Sequence, residues 1–209
     1  MTSDKFEENF IIHDHEADCM RRFTPGAVLR RAQQVSTDHC DTLGLTAQVY
    51  EQTHTAFLLA KLSVQWHRQL HTGDEVHAVT HPSAPQRATY YRLTEFYHAR
   101  TGALACTIDT RWVLVDTNTK RILRKAPDAL PIPFTLPPRQ ETKLELLKAD
   151  TAPVGQVTAG FSRCDVNGHL NNTQYADILC DYVPAGQMKK RDIHLSLIHI
   201  SEPTRRRGI

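Results

Sequence analysis

The sequence predicts an α+β protein made of two related units, each an antiparallel sheet curved around one helix. Three observations lead there: a long amphipathic helix near the N-terminus, a run of turn-separated strands behind it, and the return of the same strand-to-helix junction in the last third of the chain. A chain of 209 residues, 40% of them hydrophobic, buries an adequate core without disulfides or metal.

Phe6 to His13 reads as a strand. Thr24-Pro25-Gly26 then opens a helix, with proline at the first position, where its missing N–H costs nothing. Val28, Ala32 and Val35 fall on one face, and the helix ends near Gly44. From Leu58 to Trp66 apolar residues alternate with a more polar set, the period of a half-buried strand. Thr72-Gly73-Asp74 turns into a strand over Glu75 to His81, Thr89 to Ala99 forms the next, and Thr101-Gly102 turns into Ala103 to Val115. Asp116 to Lys120 is a further polar turn.

Residues 1–125 form the first unit on this reading, and residues 126–153, with Pro127, Pro131, Pro133, Pro137, Pro138 and Pro153, a stiff linker. In the second unit, 154–194, Phe161 to Asp165 reads as a strand end. Leu170 to Tyr182 reads as a helix with Tyr175, Ile178, Leu179 and Tyr182 on one face. Placing Asp18 on Asp165 overlays the two junctions and sets Met20 and Arg22 opposite Asn167 and His169. The polar cluster therefore occurs once, as in a pseudo-dimer whose second half holds the chemistry.

That cluster lies in F-S-R-C-D-V-N-G-H-L-N-N-T-Q-Y, Phe161 to Tyr175. A carboxylate, an amide and an imidazole stand at alternate positions before a helix whose first amides lack intrahelical partners. Such amides suit a carbonyl oxygen that gains negative charge. Asp, Asn and Gly alone would be ordinary turn and cap residues. His169, the Asn171-Asn172 pair and Tyr175 add the specificity.

D-V-N-G-H-L-N-N-x-x-Y resembles the active-site motif of the plant and bacterial acyl-acyl carrier protein thioesterases. Glu8-Asn9-Phe10, the Gln33-Gln34 helix, the strand through Trp66 and the segment from Arg111 to Arg121 resemble that family's first unit in order and spacing. The resemblance implies a tandem, double hot-dog fold. It also implies release of free fatty acids from acyl-acyl carrier protein in fatty acid biosynthesis, with no metal or other cofactor. The partner would be acyl carrier protein bearing a phosphopantetheine-linked acyl chain, with neither nucleic acid nor membrane involved. Within the chain the units would form a pseudo-dimer, and a homodimer of chains stays open.

By motif position, Asp165, Asn167 and His169 would be catalytic, and Gly168, Leu170, Asn171, Asn172 and Tyr175 would bind substrate. A thiol leaving group has a pKa of about 8.5, so the harder tasks are activating water and stabilising the oxyanion. Asp165 would orient its neighbours or attack directly. Asn167 and His169 would position water and substrate, amides near Gly168 to Asn171 would polarise the carbonyl, and Gly168 would admit the thioester close to the backbone. The family places a further active-site glutamate on the strand after this helix, and the sequence offers no counterpart. An acyl-CoA thioesterase is the alternative within enzymes. A non-catalytic acyl-thioester-binding protein is the alternative outside them, and it would need no Asp/Asn/His cluster.

Other signals carry less. His13-Asp14-His15-Glu16 with Asp18 and Cys19 has metal-ligand residue types, but no second cluster supports it, and it reads as a polar strand end. Cys164 and Cys180 read as structural thiols; five widely spaced cysteines without C-x-x-C predict no disulfides. Arg21, Arg22, Arg30 and Arg31, with Lys189, Lys190 and Arg191, are candidate docking charges for an acidic carrier protein. The net charge of +2 gives no global nucleic-acid field. The acidic N-terminus and the lack of a long apolar run predict a cytoplasmic protein.

Leu195 to Arg205, L-S-L-I-H-I-S-E-P-T-R, resembles residue for residue a translation of the transposase adapter used in preparing sequencing libraries. On this reading 195–209 is foreign to the natural protein and the second hot dog is truncated.

Overall fold

The alternation over Leu58 to Trp66 puts Leu62 and Val64 of strand β2, Thr55–Trp66, into a core that one helix fills from the other side, and a register shift between Leu59 and Lys61 turns Leu59, expected on the polar face, into that core as well. In the computed structural model the described residues are 4–130, 132–138, 152–166 and 168–183, with the backbone alone of 192–196. β1 is Phe6–Ile11, α1 Pro25–Thr42, α2 Ala47–Gln52, β3 Glu75–Gln86, β4 Thr89–His98, β5 Ala103–Asp116, α3 Gln174–Tyr182 and β6 Asp192–Ser196. Every paired neighbour is antiparallel, in the order β1-β3-β4-β5-β2-β6. With α1 against the sheet this is the α+β hot-dog arrangement.

Thr24 caps α1: its Oγ1 accepts the Ala27 amide at 3.3 Å, while Pro25 starts the first turn. Val28, Ala32 and Val35 then face inward with Leu29 and meet Val76, Ala78, Phe96 and Ile108 of the sheet. Each large aliphatic or aromatic side chain so buried contributes about 1.5 to 3 kcal/mol. Glu16, also buried, receives Arg31 Nε on Oε1 at 2.7 Å and Nη2 on Oε2 at 3.0 Å, which ties the turn before α1 to the helix.

The structure alters several expected boundaries. β3 runs past His81 through Pro82 and Pro85. β1 pairs no further along β3 than Thr80, so Pro82 lies beyond the flanking strand, where a missing N–H breaks no ladder on that side. Pairing with β4 is irregular between Ser83 and Gln86, and the Ala84 amide turns to Leu136 O at 2.7 Å. The α2 helix was not expected. Packing of the first unit also continues past residue 125: Leu130 and Phe134 are buried with Leu45, Tyr90 and Leu114.

In the second unit, Phe161–Arg163 is a single 3-10 turn where a strand end was expected. α3 begins at Gln174, four residues after the expected Leu170, because Leu170 is held in an isolated bridge to Cys164. Strand β6 pairs along β2, with Lys61 opposite Ser196 and Gln65 opposite Asp192, and so crosses position 195. Residues 197–209 lie outside the described residues.

Candidate active site

The junction before α3 repeats the junction before α1, bond for bond, with a constant offset. Asp18 N donates to Arg22 O at 2.9 Å, and Asp165 N to His169 O at 2.7 Å. Arg21 N donates to Asp18 O at 2.8 Å, and Gly168 N to Asp165 O at 2.9 Å. Thr24 N reaches Glu16 O at 3.0 Å, as Asn171 N reaches Arg163 O at 2.9 Å. The bridge Ala17 to Phe23 becomes Cys164 to Leu170, and the 3-10 turn Asp14–Glu16 becomes Phe161–Arg163.

Backbone conformation repeats as well. Arg21 and Gly168 both occupy the left-handed region, at φ 62° and 75°. An L side chain adopts that region at a cost, so glycine is the relaxed choice at 168.

The side chains differ where the chemistry would be. Asp18 accepts the Met20 and Arg22 amides on Oδ1 and pairs with the Arg22 guanidinium, Nη2 to Oδ2 2.7 Å. Burial alone would raise its carboxyl pKa, but these bonds outweigh it and hold Asp18 below the ordinary carboxylate value. In the second unit Asp165 Oδ1 accepts the His169 amide at 3.1 Å, and an exposed imidazole stands where the first has the arginine. Asp165 is half-buried, and Asn167 lies outside the described residues.

Not every amide from Gly168 to Asn171 is available to a carbonyl, which corrects the expectation. Gly168 and Asn171 donate to backbone carbonyls and His169 to Asp165 Oδ1. From Gly168 to Asn172, the backbone amides of Leu170 and Asn172 are the two that meet no acceptor among the described residues. Asn171 is committed on its side chain too, since Oδ1 accepts the Thr173 amide at 2.9 Å and hydroxyl at 2.8 Å and turns the chain into α3. Tyr175 is exposed at the start of α3.

Asn172 and Thr173 help line a cavity of about 30 Å³ whose other walls include Leu29 and Ala32 of α1, Leu62 of β2, and Ile108 and Trp112 of β5. The loop thus meets the first unit's core at an apolar crevice. Ala176 is wholly buried in that core, while Tyr175, Leu179 and Tyr182 are exposed.

Sequence reasoning missed the contact that seats α3. Arg30 Nη1 meets Asp177 Oδ2 at 2.7 Å, and the Asp177 carboxylate fills the space where a Cβ on Gly26 would stand. Carrying the Asp18-to-Asp165 offset one helical stretch further would have found it. Of the candidate docking charges, Arg22, Arg30 and Arg31 are each engaged in an ion pair, with Asp18, Asp177 and Glu16. Lys189, Lys190 and Arg191 lie outside the described residues. His13 and His15 stack on each other at 5.8 Å, and Glu16 is taken by Arg31. Cys164 Sγ points back to Gly160 O at 3.4 Å.

Residues 3–132 match the family described as acyl-ACP thioesterase N-terminal domain, and residues 148–206 the acyl-ACP thioesterase C-terminal domain. The chloroplastic palmitoyl-acyl carrier protein thioesterase of Gossypium hirsutum is 23% identical over 204 residues, covering 90% of this chain and 49% of its own. The chain therefore spans about half the length of the relatives that it matches. Among solved structures, the 12:0-ACP thioesterase of Umbellularia californica superposes with a TM-score of 0.74 at 21% identity, over 87% of this chain and 71% of that one. An acyl-ACP thioesterase of Bacteroides thetaiotaomicron superposes at 0.69 and 18% identity, over 88% and 76%.

Proposed function

The chain belongs to the acyl-ACP thioesterase family, and from that premise we propose that the full-length protein hydrolyses the thioester of acyl carrier protein and releases a free fatty acid. The observation that carries this reading is the repeated junction: one scaffold occurs twice, and only the second copy bears Asp165, Asn167 and His169. Equal backbone needs would explain the shared hydrogen bonds. They do not explain why an ion-paired Asp18–Arg22 in one copy faces an aspartate with an exposed histidine in the other.

In the reaction, water adds to the thioester carbonyl carbon, its electrons pass to the carbonyl oxygen, and collapse breaks the C–S bond. The products are a carboxylic acid and the phosphopantetheine thiol. On this reading the amides of Leu170 and Asn172 receive the oxyanion; one such donor is commonly worth 10²- to 10³-fold in rate, roughly 3 to 4 kcal/mol. Asp165, anchored through Oδ1 on the loop backbone, orients the loop and the water. His169 and Asn167 bind the water and the carbonyl, and His169 carries the proton toward the departing sulfur. Attack by Asp165 itself, through an anhydride that water then opens, is the second route.

The apolar walls of the crevice suit the first carbons of the acyl chain. The two units act as a pseudo-dimer, the first supplying cover for the chain and the second the reactive loop. Acyl carrier protein, rather than coenzyme A, is the proposed carrier because the first and second family matches both belong to acyl-ACP thioesterases. Thiol release by the full-length protein should be measured on acyl-acyl carrier protein and on acyl-CoA of several chain lengths. Turnover favouring the carrier protein supports the reading. Turnover on acyl-CoA alone would move it to the CoA enzymes, and none on either would leave a binding protein.

A further inference from the structure

Arg30 and Asp177 are 147 positions apart in sequence, the same offset that superimposes Asp18 on Asp165. They are therefore one position, occupied twice, and the two occupants touch at 2.7 Å. Two equivalent residues touch only beside the approximate two-fold axis that exchanges their units. A position on such an axis meets its own copy in any pairing of like units.

We infer that Arg30 and Asp177 are a pairing determinant, opposite charges placed on the axis so that the first unit accepts a second unit and refuses the first unit of another copy of this chain. Two first units would bring Arg30 against Arg30, and two second units Asp177 against Asp177. Only the unlike pair is charge-matched. Shape points the same way. The Asp177 carboxylate occupies the space left by the absent Cβ of Gly26. The same offset sets Thr173 at the place of Gly26, so in a pair of second units a Cβ and hydroxyl would stand where that carboxylate must go. In a pair of first units the longer guanidinium of Arg30 would have to enter the Gly26 site. The pair is half-exposed, so the charge contribution alone should be about fivefold in preference.

This rests on the pairing of units put forward above, and turnover plays no part in its test. Arg30→Asp, Asp177→Arg and the double reversal Arg30→Asp/Asp177→Arg should be compared with the unaltered chain by sedimentation equilibrium and thermal melting at low and high salt. Arg30→Gln serves if a reversal fails to fold. Each single change should lower the melting temperature and raise chain-to-chain association about fivefold, the double reversal should restore both, and 1 M salt should flatten the differences. A melting loss with unchanged association, or a double reversal that stays like the singles, would overturn the pairing role and leave an ordinary surface ion pair. Unchanged melting in every variant would contradict the docking of the two units itself. Loss of thioester hydrolysis with these results intact would fault only the proposed reaction.

Discussion

Asp165 accepts the backbone N–H of His169 at 3.1 Å, the same bond by which Asp18 holds Arg22 at 3.0 Å in a loop that has no histidine. The bond closes the turn in both units, so its structural role is common property. What the second unit adds is an exposed imidazole in place of the ion-paired arginine. Scaffold and chemistry can therefore be separated by substitution.

Cys164 and Cys180 should be dispensable. Cys164 Sγ faces Gly160 O, away from the Asp165–His169 turn. In the full-length protein Cys164→Ala and Cys180→Ala should keep near-normal turnover and stay within about 1 kcal/mol in stability. Abolished turnover in Cys164→Ala, with Asp165→Ala active, would make the thiol the nucleophile.

Gly26→Ala should destabilise by about 1 to 3 kcal/mol, because the new methyl displaces the Asp177 carboxylate and with it the Arg30 ion pair. Gly160→Ala is the control: among the described residues beyond its chain neighbours none lies within 4 Å of the added Cβ, and φ is −71°. It should change stability by no more than about 0.5 kcal/mol. Equal melting temperatures for the two variants would show that α3 is not seated on Gly26.

Glu16 gives the fold an acid-sensitive tie. Burial would raise its carboxyl, but the Arg31 hydrogen bonds and the His13 amide prevail and hold it below its ordinary value of 4.5. A carboxyl depressed in the folded state stabilises fully above its unfolded value, and that contribution disappears as pH falls through the folded one. Glu16→Gln should therefore cost about 2 kcal/mol at neutral pH. The gap from the unaltered protein should close below pH 4.5. A gap that is constant from pH 7 to pH 3, checked by melting curves, would exclude the ionised tie.

Much of this was legible in the residues. Alternation over Leu58 to Trp66 and the Thr24-Pro25 start fixed the sheet and helix of the first unit, since both follow from local periodicity and capping. The overlay of Asp18 on Asp165 was legible because turn residues demand the same loop twice. The α2 helix was not, being six residues with none buried, too short for a 3.6-residue period to emerge. Nor was the extension of β3, where Pro82 suggests an end unless the reach of β1 is known. The late start of α3 follows from the bridge that holds Leu170 to Cys164 and from Asn171 Oδ1 accepting the Thr173 amide, a choice between two adjacent asparagines that spacing does not make. Which amides stay free for an oxyanion depends on pairing across the loop and so required the fold.

The most direct measurement compares two equivalent substitutions, Asp165→Asn and Asp18→Asn, in the full-length protein. Thiol release from acyl-acyl carrier protein and thermal melting should be read on both. Asp165→Asn should lower turnover by about 10²- to 10⁴-fold, with His169→Ala similar and the double variant far short of the product of the two losses. Asp18→Asn should instead cost about 1 kcal/mol of stability through its Arg22 pair and leave turnover near normal. Equal turnover losses at both positions, or an active Asp165→Asn protein, would contradict the claim that the second copy of the junction is where the chemistry resides.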